Sequence, residues 1–204
     1  MAITLGASAL GLVGAMPSGP GSISDDAIAK IAAIVPPPIA TFLLTSRTDP
    51  EGIIEHVKLC RVNTVQLVDA IKFDDYAKLR QSLPGIKLVQ VLHVQGEDTL
   101  HEATEIAPLV DALLLDSGNP GLAVKELGGT GRVHDWTISQ RIVASIAKPI
   151  FLAGGLNAGN IAQALEIVRP FGVDLCTSVR SDGALDLIKL KEFFLALHRG
   201  TGGR

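Results

Sequence analysis

Three glycine clusters and one aspartate between residues 113 and 179 carry most of the chemistry this chain could do. The segment reads LLLDS at 113–117, LGGTG at 127–131, HDW at 134–136 and FLAGGL at 151–156. It closes on RPFGVDLCTSV at 169–179. Each apolar run is about a strand long and stops abruptly at polar or glycine residues. A buried parallel strand meets a ligand in that way, at its carboxyl end. Glycines there let backbone N–H groups approach an anion with no side chain in between. Gly154 and Gly155, with Ser178 and Val179, therefore read as a phosphate site on two successive late strands, both turns being expected at helix N-termini. Asp116 follows three leucines and reads as a partly buried carboxyl suited to giving or taking a proton. The competing reading is an aspartate that caps the next loop.

Gly128, Gly129, Thr130 and Gly131 belong to a 20-residue connection from Ser117 to Trp136. Loops of that length in a compact domain are usually functional, and a mobile flap over a substrate is the expectation. His93 follows an apolar run and should lie on the same face as Asp116. Cys176 and Arg180 flank the last glycine-containing segment. Cys176 is either a proton acceptor or a small apolar filler, and Arg180 either touches an anion or is simply exposed. His56, His101 and His198 fall in helical patterns. Asp135 reads as the N-cap of the helix that follows it.

Apolar runs alternate with amphipathic segments throughout the chain. Strands are expected at 9–13, 39–44, 64–68, 87–92, 112–115, 149–153 and 173–176. Helices are expected between them, at about 74–82, 98–107, 137–144, 157–168 and 186–198 after two earlier ones. Ser24-Asp25-Asp26 opens the first helix as an N-cap with an acidic first turn. Asp49-Pro50-Glu51 opens the second with proline at a tolerated position. Such alternation implies α/β architecture with parallel strands and right-handed crossovers. Seven strands are one short of a (β/α)8 TIM barrel, and the first strand comes almost at once after residues 4–7, which resemble the end of a helix. The expectation is a TIM barrel lacking its first βα unit. No linker divides the chain, so residues 1–198 read as a single barrel domain and 199–204 as a disordered tail.

Composition narrows the partners. The net charge of −3 comes with no basic run, which argues against nucleic acid or a membrane surface. No apolar stretch approaches the ~20 residues of a membrane span. The apolar N-terminus lacks a positive region before Lys30, so a signal peptide is not expected. The two cysteines, Cys60 and Cys176, form no metal or redox pattern, which suits a cytoplasmic setting. A small phosphorylated sugar, and a monomer or homodimer, are the expected partners.

These motifs resemble the phosphoribosylanthranilate isomerase family, (β/α)8 enzymes of tryptophan biosynthesis. The family has a strand ending in aspartate, a GG[ST]G loop with an FDW motif, a GGL turn and a VRPFGVDVSSGVE segment. The matching residues here are those quoted above, with AGGLNAGNI at 153–161 and VRPFGVDLCTSVR at 168–180. GASALGLV at 6–13 and VNTVQL at 62–67 extend the match over nearly the whole chain.

The resemblance implies an Amadori rearrangement of N-(5′-phosphoribosyl)anthranilate. An acid protonates the furanose ring oxygen, and a base takes the C2 proton from the resulting Schiff base. It implies no metal and no organic cofactor, since the substrate's own imine is the electron sink. Asp116 aligns with the family's general acid. The family's base, a cysteine in a KxCG motif, has no counterpart in this sequence, and Cys60 lies before a strand at the opposite face. The family's loop arginine would fall near Pro20-Gly21, its histidine after VQL is replaced by Val68-Asp69, and in SSGVE the glycine is Ser178 and the glutamate Arg180 here. Two alternatives stand beside the isomerase: a non-catalytic phosphate-binding barrel, and an isomerase or lyase acting on another sugar phosphate with His93 or Cys176 as base.

Overall fold

A computed structural model describes residues 1–129 and 131–201. Seven strands form one sheet in the order of the chain, every neighbouring pair parallel. They are β1 (Ala9–Val13), β2 (Ala40–Thr45), β3 (Thr64–Leu67), β4 (Lys87–His93), β5 (Ala112–Asp116), β6 (Ile150–Leu152) and β7 (Gly172–Val173). Between them run α1 (Asp25–Ile34), α2 (Pro50–Cys60), α3 (Phe73–Ser82), α4 (Asp98–Ile106), α5 (Trp136–Ser145) and α6 (Ile161–Val168). α7 (Leu187–Thr201) closes the described chain. The sheet curls into most of a TIM barrel, with β1 and β7 as its two ends.

Local chemistry explains where the helices start. The Ser24 hydroxyl accepts the Ala27 N–H, and Asp25 and Asp26 follow in the first turn of α1. Asp49 accepts the Gly52 N–H at 2.6 Å ahead of Pro50 in α2. Asp135 accepts the Thr137 N–H at 2.9 Å and caps α5 as expected.

Strand alternation sorts side chains into two layers. Leu88 and Leu92 of β4, Leu113 and Leu115 of β5, and Ile150 and Leu152 of β6 pack outward against the helices. Val89, Val91, Ala112, Leu114, Phe151 and Ala153 face inward and fill the barrel's interior. Burying a leucine such as Leu115 fully is worth about 2–3 kcal/mol. The same alternation sends His93 and Asp116 to the inner face at the carboxyl ends of β4 and β5, while Asp174 and Cys176 follow the end of β7.

Four elements depart from the expectations. β7 stops at Val173 because β6 offers only three residues to pair with. One further bond, Asp174 N–H to the Leu152 carbonyl at 2.9 Å, precedes a bend into a short 3-10 turn at Thr177–Val179. An antiparallel hairpin then intervenes, β8 (Arg180–Ser181) and β9 (Ala184–Leu185). Its Asp182-Gly183 turn has φ of 51° and 78°, the left-handed pair that two-residue hairpins favour. Finally, α6 begins at Ile161 rather than 157, because Asn157 and Asn160 bond to one another and to Gly155 and hold 157–160 as a turn. α7 runs on to Thr201, through the first three residues of the expected tail, and residues 202–204 lie outside those described.

Candidate active site

The inner carboxyl ends of β5, β6 and β7 surround a cavity of about 190 Å³. Asp116 and Asp174 line it, with Gly129, Gly131, Gly154, Gly155, Cys176 and Ser178 among the other wall residues. Asp116 is only 7% exposed. Its Oδ1 accepts the Ser117 N–H at 2.7 Å and lies 3.5 Å from the Ser117 hydroxyl. Burial raises its pKa above the usual carboxylate range, and the Ser117 N–H and nearby His93 oppose that rise in part.

Asp174 lies in the 169–179 segment and is not among the site residues expected from the sequence. It is half-buried and lines the cavity. Removal from solvent and the negative charge of Asp116 push its pKa up to about 6, against the Leu175 N–H that lowers it. The signal that could have found it was the inward parity it shares with Cys176, two residues past the start of β7 on a strand facing Asp116.

The glycine turn after β6 is a backbone requirement. Gly154 and Gly155 have φ of 81° and 63°, a region L side chains rarely adopt. A Cβ on Gly154 would sit 2.9 Å from the Ser117 nitrogen, and one on Gly155 would sit 2.6 Å from the Arg132 carbonyl. Two asparagine side chains hold the Gly155 carbonyl, Asn157 at 3.1 Å and Asn160 at 3.0 Å. Neither late turn opens directly onto an α-helix, contrary to the expectation, since α6 starts at Ile161 and α7 at Leu187. The extra turn at 157–160 and the β8–β9 hairpin occupy the intervening residues. Ser178 lines the cavity, and its buried hydroxyl has no hydrogen-bond partner among the described residues. The Val179 side chain, 3% exposed, belongs to the core, so only its backbone is near the site.

The long connection from β5 to α5 folds back over this cavity. Asn119 and Glu126 bridge it internally, and the Gly129 carbonyl accepts the Thr177 hydroxyl at 3.0 Å. A Cβ on Gly128 would lie 2.7 Å from Asp116 Oδ2. Thr130 lies outside the described residues.

The other candidates scatter. Cys176 is half-buried in the cavity wall. His93 pairs with Asp116 in register but turns toward a second cavity of about 130 Å³, with Asp69, Gln95 and Glu102. Its Nε2–H donates to the Val68 carbonyl at 3.0 Å, and its buried Nδ1 has no partner. Arg180 sits on β8, where Nη1 donates to the Gly183 carbonyl at 2.7 Å and the guanidinium packs against Gly21. Cys60 is fully buried on α2 beside His56 and Asp25, and burial pushes its thiol up to about 11.

Comparison with known proteins accords with this geometry. The profile of the family described as N-(5'phosphoribosyl)anthranilate (PRA) isomerase matches residues 25–196. The chain is 36% identical over 195 residues to N-(5'-phosphoribosyl)anthranilate isomerase 2 of Methanosarcina mazei, covering 95% of this chain and 85% of that one. A solved phosphoribosylanthranilate isomerase from Thermotoga maritima superposes with a TM-score of 0.81 at 25% identity, covering 97% of this chain and 91% of that one. Another, solved in complex with reduced 1-(o-carboxyphenylamino)-1-deoxyribulose 5-phosphate, gives 0.78 at 23% identity over 97% and 91% of the two chains. By the profile match and the identity to a relative it nearly spans, this chain belongs to the N-(5'-phosphoribosyl)anthranilate isomerase family.

Proposed function

We propose that the chain catalyses its family's rearrangement, converting N-(5′-phosphoribosyl)anthranilate to the 1-amino-1-deoxyribulose 5-phosphate. The observation that carries this reading is one cavity combining a buried carboxyl, Asp116, with a double-glycine turn and the unpartnered Ser178 hydroxyl. The phosphate is received by backbone at Gly154, Gly155 and Val179 and by the backbone and hydroxyl of Ser178. Gly128, Gly129 and Gly131 belong to the segment that covers it. Asp116, whose protonated form burial favours, gives its proton to the ring oxygen. The C1–O bond breaks as the anilino nitrogen's lone pair forms the C1=N bond. Loss of the C2 proton then returns electrons to nitrogen, and the enolamine tautomerises to the ketone. His93 and Arg180 stand at the periphery of this arrangement, and Cys176 stands in its wall.

We read residues 1–198 as one catalytic domain, a monomer or homodimer working in the cytoplasm. Both cysteines are free, and no described helix is long and apolar enough to cross a membrane. The experiment follows turnover of the fluorescent anilino substrate. Asp116→Asn should cut kcat by about 10²–10⁴-fold with ligand binding largely retained. Near-normal turnover by this variant, or none by the wild-type chain, overturns the reading.

A further inference from the structure

We propose that Arg180 holds the aryl carboxylate of the substrate, on the Nε–Nη2 edge of its guanidinium. The proposal rests on the isomerase reading and deepens it. That substrate carries two anionic groups, a phosphate at one end and a carboxylate on the aromatic ring at the other. The glycine turn and Ser178 account for the first. The 190 Å³ cavity is smaller than the ~300 Å³ at which pockets for ligands of this size begin, so the aromatic ring extends past its wall. The furanose oxygen and the anilino nitrogen share C1, so the aromatic ring leaves the cavity close to Asp116. A chain of close approaches leads outward from that acid. A Cβ on Gly128 would lie 2.7 Å from Asp116 Oδ2, and one on Gly129 would lie 2.8 Å from Pro20 Cδ. One on Gly21 would lie 2.8 Å from Arg180 Nη2. The 17–21 loop is tied to the same covering segment by the Ser18 hydroxyl, which donates to the Lys125 carbonyl at 2.7 Å.

Charge singles out Arg180 at this rim. Lys125 pairs with Asp69, Arg132 pairs with Glu126, and Arg47 lies 4.0 Å from Asp25. Arg180 forms no ion pair among the described residues, and the 16–22 stretch contains no basic residue. Its Nη1 donates to the Gly183 carbonyl at 2.7 Å, which fixes the guanidinium plane. Its Nε is buried without a partner, and Nη2 makes no hydrogen bond among the described residues. Leaving a buried charged donor unmatched costs about 1–3 kcal/mol or more, so this edge suits an acceptor that arrives with the ligand. Nε and Nη2 present parallel N–H groups, the fork that takes both oxygens of a carboxylate. Gly21, with φ of 89° and no side chain, leaves room against that edge. Met16 packs with Phe42 and Leu44 against the inner apolar cluster and offers the aromatic ring an apolar side. Arg180 follows Ser178 by two residues but is not part of the cavity wall, so its side chain serves the other end of the ligand.

The test measures binding to wild type, Arg180→Gln and Arg180→Lys by calorimetry. Three ligands are compared: reduced 1-(o-carboxyphenylamino)-1-deoxyribulose 5-phosphate, the same compound without its aryl carboxylate, and ribose 5-phosphate. Wild type should bind the first about tenfold or more tightly than the second. Arg180→Gln should weaken the first about 10–100-fold, the range of a charge-assisted bidentate pair, and the other two less than about threefold. Arg180→Lys should recover part of the loss, as a charge without the fork. The two ligands that lack the carboxylate also report whether each variant is folded. Equal losses for all three ligands would put Arg180 on the phosphate or in the hairpin alone, and overturn the proposal. So would an unchanged affinity of Arg180→Gln for the carboxylated ligand.

Turnover separates this proposal from the reading beneath it. With N-(5′-phosphoribosyl)anthranilate, Arg180→Gln should raise KM about tenfold or more with kcat within about threefold, since the carboxylate is held alike in ground and transition states. Wild-type turnover with an unchanged KM in Arg180→Gln overturns the proposal and leaves the isomerase reading standing. No turnover by wild type overturns the isomerase reading, and the calorimetric pattern then decides by itself whether Arg180 binds the carboxylate.

Discussion

Gly155 offers the sharpest perturbation of the anion site. Its φ is 63°, and an added Cβ would meet the Arg132 carbonyl carbon and oxygen at 2.6 Å and the Gly131 oxygen at 2.9 Å. These are backbone atoms of a segment whose Gly131 lines the cavity, so no side-chain rotation relieves the contact. Gly155→Ala therefore carries about 1–2 kcal/mol of left-handed strain, and a displacement of that backbone adds to it. At about 2–4 °C per kcal/mol for a chain of this size, the strain alone should lower Tm by roughly 2–8 °C. Gly155→Asp adds a charge to the same distortion. At a separation on the order of 5–8 Å and an effective dielectric of about 20, repulsion of a single phosphate charge is about 2–3 kcal/mol. The Asp variant should thus bind ribose 5-phosphate about 30–100-fold more weakly than the Ala variant. Calorimetry at constant ionic strength and thermal melts provide both readings. Equal affinity in wild type, Ala and Asp variants would remove phosphate from this turn. Equal loss in Ala and Asp would show that geometry matters there and charge does not.

Gly128→Ala places a methyl group where Asp116 Oδ2 now faces open backbone, at 2.7 Å. It should lower kcat about tenfold or more while ribose 5-phosphate affinity changes less than threefold, and an unchanged kcat would show that the carboxyl does not depend on that approach. His134 is held neutral by burial, with its pKa lowered to about 4. Its contribution to stability is full above the unfolded value near 6.5 and is lost as pH falls toward 4. Asp174, raised to about 6, works in the opposite direction across much of that range, so wild type is compared with His134→Asn. Between pH 7 and pH 4 wild type should lose roughly 2–3 kcal/mol relative to the variant in urea unfolding, and parallel curves would contradict the burial argument.

Strand-length apolar runs and helix caps were legible in the residues because they are local. Ser24, Asp49 and Asp135 cap the helices they precede. Asp116 was legible for the same reason, being the polar residue that ends an apolar run. What escaped depends on partners far away in sequence. β7 was expected to reach Cys176, but its length is set by the three residues of β6, which nothing in the 173–176 segment announces. The β8–β9 hairpin left a local mark, Asp182-Gly183, that the helical pattern after it obscured. Asp174 was hidden because its chemistry is relational: an aspartate after valine is ordinary until Asp116 stands in the same cavity. His93 shows the converse. It reached the expected face and turned to a different pocket, since the Val68 carbonyl holds its ring.

The two carboxyls also differ in how they are mounted. Asp116 ends a five-residue strand bonded on both sides, to β4 and to β6. Asp174 follows a two-residue strand bonded to β6 alone, with only the Leu152 carbonyl to steady its own N–H. One jaw of the cavity is therefore stiff and the other compliant. A small excursion of the 174–178 segment changes the carboxyl spacing, and with it their mutual repulsion, without disturbing a ladder bond in β4 or β5. The tuning of the pair is a mechanical property of the sheet's short end, and substitutions that tighten or loosen that end can retune it without touching either aspartate.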